Sequence, residues 1–89
     1  MGEDDQCLRF FAFADYLDWQ AGDKKTWQKI NELIKSVERD GAMRGIGKPE
    51  KLKYRKGGYS RRIDHANRLV YEVSGDTITI LSCKGHYED

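Results

Sequence analysis

The chain has 89 residues and a formal net charge of +1, which allows one domain with a thin core and no global bias toward anionic partners. No stretch approaches the ~20 apolar residues that cross a bilayer, and the acidic start "MGEDDQ" is unlike a secretory leader. Two distant cysteines, Cys7 and Cys83, form no disulfide framework, and with only His65 and His86 beside them a four-ligand zinc site is not expected.

A single soluble, cytoplasmic domain over residues 1–89 is therefore expected, with both cysteines reduced and packed. "CLRFFAF" is rich in strand formers and predicts a first strand. "FADYLDWQ" places Phe13, Tyr16, Leu17 and Gln20 at helical spacing and ends near Gly22. Asp23 is positioned to cap the next element. "KKTWQKINELIKSVERD" spaces Trp27, Ile30, Leu33, Ile34 and Val37 by three and four, an amphipathic helix of about four turns that stops at Gly41. Trp19 and Trp27 are expected on the core faces of the helices.

Residues 41–60 hold the only proline and five of the nine glycines. They read as a loop, a short strand "EKLKYR" and a Gly-Gly turn. "YSRRID" is a further strand and "HAN" a turn, with His65 on the surface. "RLVYEVSG" and "TITILSCK" form a hairpin about Gly75-Asp76. The order β-α-α-β-β-β-β predicts an α+β fold, with two N-terminal helices packed on one face of a small, mostly antiparallel twisted sheet.

The near-neutral total conceals a segregation of charge. Residues 44–68 carry nine Lys or Arg against two acids, a net of +7, whereas the flanking segments are each −3. Such a block raises the local potential enough to recruit a polyanion. With Tyr54 and Tyr59 inside it, nucleic-acid contact is the favoured reading over a solvated basic face.

The blocks "GIGKPEKLK", "YSRRI", "NRLVYEV" and "CKGHY", in that order, resemble the YoeB/Txe branch of the RelE superfamily, and "WQ..DKKTWQKINELIKS" resembles its helical hairpin. The similarity runs from about Ala14 to Tyr87. It implies a type II toxin that cleaves mRNA in the ribosomal A site, with the ribose 2′-hydroxyl as nucleophile and no metal or other cofactor. It implies an antitoxin partner of the YefM type, operator DNA reached only through that complex, and a possible homodimer. The family's catalytic Glu falls on Glu50, its phosphate-binding Arg on Arg68, and its terminal His and Tyr on His86 and Tyr87. Lys53 and Arg62 match supporting basic positions; Lys48, Arg61 and Tyr59 complete the expected RNA contacts.

The residue types suit the chemistry. Attack by a 2′-hydroxyl needs a base, an acid for the leaving 5′-oxygen and cations on the phosphorane. A histidine with a pKa near about 6.5 is a natural acid at neutral pH, and an arginine fork matches phosphate and keeps its proton. A carboxylate within a basic block would weaken a pure binding surface, so Glu50 favours catalysis. Taken singly, Glu50 reads as a surface ion-pair partner and His86 as a solvated chain end. Gly85, before His86, predicts a loosened backbone at the acid, and Glu88 and Asp89 would raise the pKa of His86 wherever they approach it. The second reading is a non-catalytic module of the same fold that binds RNA, the ribosome or an antitoxin as co-repressor.

Overall fold

The computed structural model describes residues 7–85. The elements are β1 (Cys7–Phe10), α1 (Phe13–Gly22), α2 (Lys24–Asp40), β2 (Glu50–Lys51), β3 (Gly58–Arg62), β4 (Arg68–Ser74) and β5 (Thr77–Ser82). One five-stranded sheet has the order β1-β5-β4-β3-β2. β1 runs parallel to β5, and the other neighbouring pairs are antiparallel.

α2 forms where the periodicity placed it. Asp23 caps its start, accepting from the Thr26 N–H at 3.1 Å and the Thr26 hydroxyl at 2.9 Å. The Thr26 backbone bond, reinforced by the hydroxyl, holds the Asp23 carboxyl below the usual carboxylate range. Ile30, Leu33, Ile34 and Val37 are buried against Leu69, Tyr71, Ile78 and Ile80 of the sheet. Full burial of each aliphatic chain contributes roughly 1.5–3 kcal/mol.

α1 turns Tyr16 and Trp19 to the core as expected, but not Phe13 and Leu17. Phe13 is 52% exposed and Leu17 43% exposed, while Tyr16 and Trp19 turn toward the core. Polar tips decide the rotation: the Tyr16 hydroxyl donates to Asn31 Oδ1 at 2.7 Å and Trp19 Nε1 donates to the Cys83 carbonyl at 2.8 Å. A half-buried aromatic is held best where its N–H or O–H finds an acceptor. The expected strand "EKLKYR" contracts to Glu50–Lys51. Leu52 still donates to Gly58 O, but Gly58 donates back to Arg55 O, so residues 53–56 leave the ladder in a turn.

The cysteines differ from the expected packed pair. Cys83 is fully buried, whereas Cys7 is exposed. Burial, ahead of the nearby Asp15 charge, pushes the Cys83 thiol up to about 12. A thiol reagent at neutral pH is therefore expected to label one site per native chain, Cys7, and both only in denaturant. Rapid labelling of two sites in native protein would contradict the burial of Cys83.

Arg61, expected on an RNA-binding surface, is instead wholly buried at 0% exposure. Its Nε donates to Tyr71 Oη at 2.9 Å, Nη1 to Ser36 Oγ and Ile46 O, and Nη2 to Gly41 O and Arg44 O. All five donors of the guanidinium are thus used. The charge is offset by the C-terminal end of α2, where carbonyl dipoles present negative potential, and by Asp40, which accepts from Ser36 Oγ at 3.0 Å. Bonds from Arg39 and then Ser36, with a contribution from the Arg61 charge, hold the Asp40 carboxyl below its ordinary range. Tyr71 Oη in turn donates to Ala42 O at 2.6 Å. The guanidinium therefore ties residues 41–46, the loop leading to β2, to the core. Gly45 is required there: its φ is +105°, and a Cβ would lie 2.0 Å from Ser36 Oγ.

Candidate active site

Strand pairing assembles the site on the sheet face opposite the helices. Glu50 pairs with Ser60, Ser60 with Val70, and Arg62 with Arg68. Directly opposed residues share a face, so Glu50, Ser60, Arg62 and Arg68 project together. Arg68 Nη2 lies 3.3 Å from Glu50 Oε1. The Ser60 hydroxyl accepts from Arg68 Nε at 3.1 Å and Nη2 at 2.9 Å. Ser60 is buried beneath this contact, the Arg68 side chain is only 14% exposed, and Glu50 is 66% exposed. The arrangement is an oriented guanidinium next to a carboxylate that solvent and a ligand can reach.

Ser60 was not singled out by sequence reasoning. The signal was present: in a strand "YSRR", Ser60 shares a face with Arg62, two residues on.

Around this pair the basic block is partly realised. Lys48, Lys53 and Arg62 are exposed. Lys48 has φ +52°, a conformation uncommon for a non-glycine residue, immediately before Pro49 and Glu50. The helical region is disfavoured ahead of proline, and this left-handed residue turns the chain from the Arg61-bound loop into β2.

Tyr59 stands apart from the Glu50–Arg68 pair. One residue from Ser60, it points to the opposite face and stacks on Tyr71 with ring centroids 5.7 Å apart. It lines a groove of about 370 Å³ with Lys51, Leu52, Arg55 and Lys56. Neither Tyr59 nor Arg61 belongs to the Glu50–Arg68 face.

His86 and Tyr87 lie outside the described residues, as do Glu88 and Asp89. The residue before them is placed: the Arg68 N–H donates to Gly85 O at 3.1 Å. Gly85 does not loosen the backbone as expected. Its φ of +81° requires a glycine-like residue, and both its N–H and its carbonyl are bonded. His65 is an exposed turn residue, as expected.

Comparison with known proteins agrees with this fold. Residues 10–87 match the family described as the YoeB-like toxin of bacterial type II toxin–antitoxin systems. Toxin YoeB of Escherichia coli strain K12 is 50% identical over 74 residues, 82% of this chain and 87% of that protein. The YoeB dimer from Staphylococcus aureus superposes with a TM-score of 0.87 at 54% identity, covering 92% of this chain and 98% of the other. A YoeB–YefM complex from the same organism gives a TM-score of 0.84 at 53% identity, covering 93% and 99%. The chain belongs to the YoeB-like toxins of bacterial type II toxin–antitoxin systems.

Proposed function

We propose that this toxin is a ribosome-dependent mRNA endoribonuclease. The observation that carries the reading is the 3.3 Å approach of Glu50 to an Arg68 guanidinium already oriented by Ser60, on an open sheet face within a basic block.

When RNA enters, a phosphate competes with Glu50 for the Arg68 fork, since arginine binds phosphate in the same geometry as carboxylate. Glu50 is then released to accept the proton of the 2′-hydroxyl. The 2′-oxygen bonds to phosphorus, the bond from phosphorus to the 5′-oxygen breaks, and His86 gives its proton to that oxygen. The products are a 2′,3′-cyclic phosphate and a 5′-hydroxyl. Arg68, with Lys53 and Arg62, stabilises the charge of the phosphorane. Tyr87 stacks on a base, and Lys48 contributes to backbone attraction.

Exposed Leu8, Phe11, Phe13 and Leu17 around β1 and α1, and Met43 and Ile46 in the loop, support a protein partner. A YefM-like antitoxin segment, acidic and amphipathic, fits such apolar surface, and Met43 and Ile46 lie at the start of the basic block. It would link the toxin to operator DNA, and self-association as in the S. aureus dimer is part of the same reading. Among the described residues no helix is long and apolar enough to cross a membrane.

The test is primer extension on translated message after induction of wild type, Glu50→Ala and His86→Ala. New 5′ ends on translating ribosomes are expected for wild type and are expected to be lost in both variants. Absence of such ends with wild type refutes the enzyme reading and favours a binding module. Undiminished cutting by His86→Ala removes that residue from the acid role.

A further inference from the structure

We propose that Asn67 is a positioning residue for His86, acting through the peptide group of Gly85. The inference rests on the cleavage reading above and deepens it.

Asn67 ends the turn between β3 and β4, and Asp64 at the start of that turn fixes its side chain. Asp64 Oδ1 accepts from the Ala66 N–H at 2.8 Å, the Asn67 N–H at 2.8 Å and Asn67 Nδ2 at 3.1 Å. The Asn67 carbonyl closes the turn, accepting from the Ile63 and Asp64 N–H groups. Partial burial opposes ionisation of Asp64, but the Ala66 N–H and the Asn67 side chain and N–H outweigh it and hold the carboxyl below its usual range. The carboxylate thus remains an acceptor at neutral pH.

With its NH₂ group committed to Asp64, the Asn67 amide presents Oδ1 the other way, and Gly85 N–H donates to it at 2.8 Å. The next residue, Arg68, donates its own N–H to Gly85 O. Two consecutive residues of the β4 entry therefore grip both polar groups of Gly85. Further back, Trp19 Nε1 holds the Cys83 carbonyl, so the chain is fastened at 83 and at 85. A terminal segment ordinarily frays unless tied down; here the ties reach Gly85, the residue before His86. Because the same backbone carries Arg68, the residue before the proposed acid is held in a frame shared with the proposed phosphate-binding cation. Catalytic efficiency depends on such registration, since small misplacements of a reacting group lower rates steeply.

Three variants test this: Asn67→Ala, Asn67→Asp, and the exchange pairing Asp64→Asn with Asn67→Asp. The exchange keeps one carboxylate and one amide in the turn, with an oxygen at position 67 for Gly85. Single-turnover cleavage of ribosome-bound mRNA and hydrogen exchange of the Gly85 amide are measured on the same proteins. Asn67→Ala is expected to lower kcat about tenfold, with KM within about twofold and faster Gly85 exchange. Asn67→Asp alone, which sets two carboxylates together, is expected to fall similarly, and the exchange to recover most of the rate.

Full kcat in Asn67→Ala, or a loss with Gly85 exchange unchanged, overturns the proposal. A folded exchange variant no faster than Asn67→Asp does the same, and keeps the test decisive if Asn67→Ala unfolds. Wild type that cuts no translating message would refute the cleavage reading itself, whereas wild type that cuts and Asn67→Ala that cuts equally well would refute only the role of Asn67.

Discussion

Arg68→Ala is expected to lower single-turnover mRNA cleavage by about 10²–10³-fold, the range found when one preorganised donor to a developing oxyanion is removed. The same variant should remain folded. Arg68 is bonded to one exposed carboxylate and one hydroxyl, so its loss costs about 1 kcal/mol. In a domain of this size that lowers Tm by roughly 4–8 °C. Stopped cleavage assays beside thermal unfolding separate the two effects. Cleavage within about threefold of wild type would contradict the phosphate role, because a cation so oriented is worth far more. Arg68→Lys is a useful companion. It keeps the charge but loses the fork held by Ser60, and its recovery should be incomplete.

Arg61→Ala is expected to give the opposite result, a folding defect. The guanidinium makes five hydrogen bonds and has no solvent contact. Truncation leaves the carbonyls of Gly41, Arg44 and Ile46 to find new partners. Each buried group left unsatisfied costs about 1–3 kcal/mol. A total above about 3 kcal/mol is a large part of the 5–15 kcal/mol typical of whole domains, and corresponds to a Tm loss of about 12 °C or more. Arg61→Lys should recover little, since an ammonium has three donors and no planar fork. The neighbouring Arg62→Ala is the control: its side chain is exposed, and its Tm should shift by only a few degrees. If Arg61→Ala melts within about 3 °C of wild type, the buried network does not hold the loop as described.

These two arginines mark the division between what local pattern reveals and what it does not. α2 was legible because five apolar residues at helical spacing dictate one buried face whatever they pack against. Its capping by Asp23 and its stop at Gly41 were legible for the same local reason. The hairpin of β4 and β5 was legible from the Gly75-Asp76 turn. Glu50 and Arg68 were legible as motif positions, and strand pairing brings their side chains to 3.3 Å.

Adjacent Arg61 and Arg62 look alike in sequence, yet one is buried and the other exposed. A strand turns successive side chains to opposite faces, and only the packing of α2 decides which face is covered. That placement sent Arg61 inward with Tyr59, and left Arg62 outward with Ser60. Tyr16 and Trp19 face the core as their spacing predicts, but Phe13 and Leu17 of the same helix stay exposed, because the polar tips of Tyr16 and Trp19 find acceptors on Asn31 and Cys83, 15 and 64 residues away.

By itself, then, the sequence determined the element order, the amphipathic helix, the basic block and the residue types of the proposed site. Each of these follows from local spacing or from the chemistry of a side chain. The tertiary structure alone decided which member of a basic pair meets solvent, that Ser60 orients Arg68, and that Gly85 is gripped by Asn67 and Arg68. The reason is that register and layer packing bring together groups far apart in the chain, and burial then makes each unsatisfied donor or acceptor costly enough to dictate its partner.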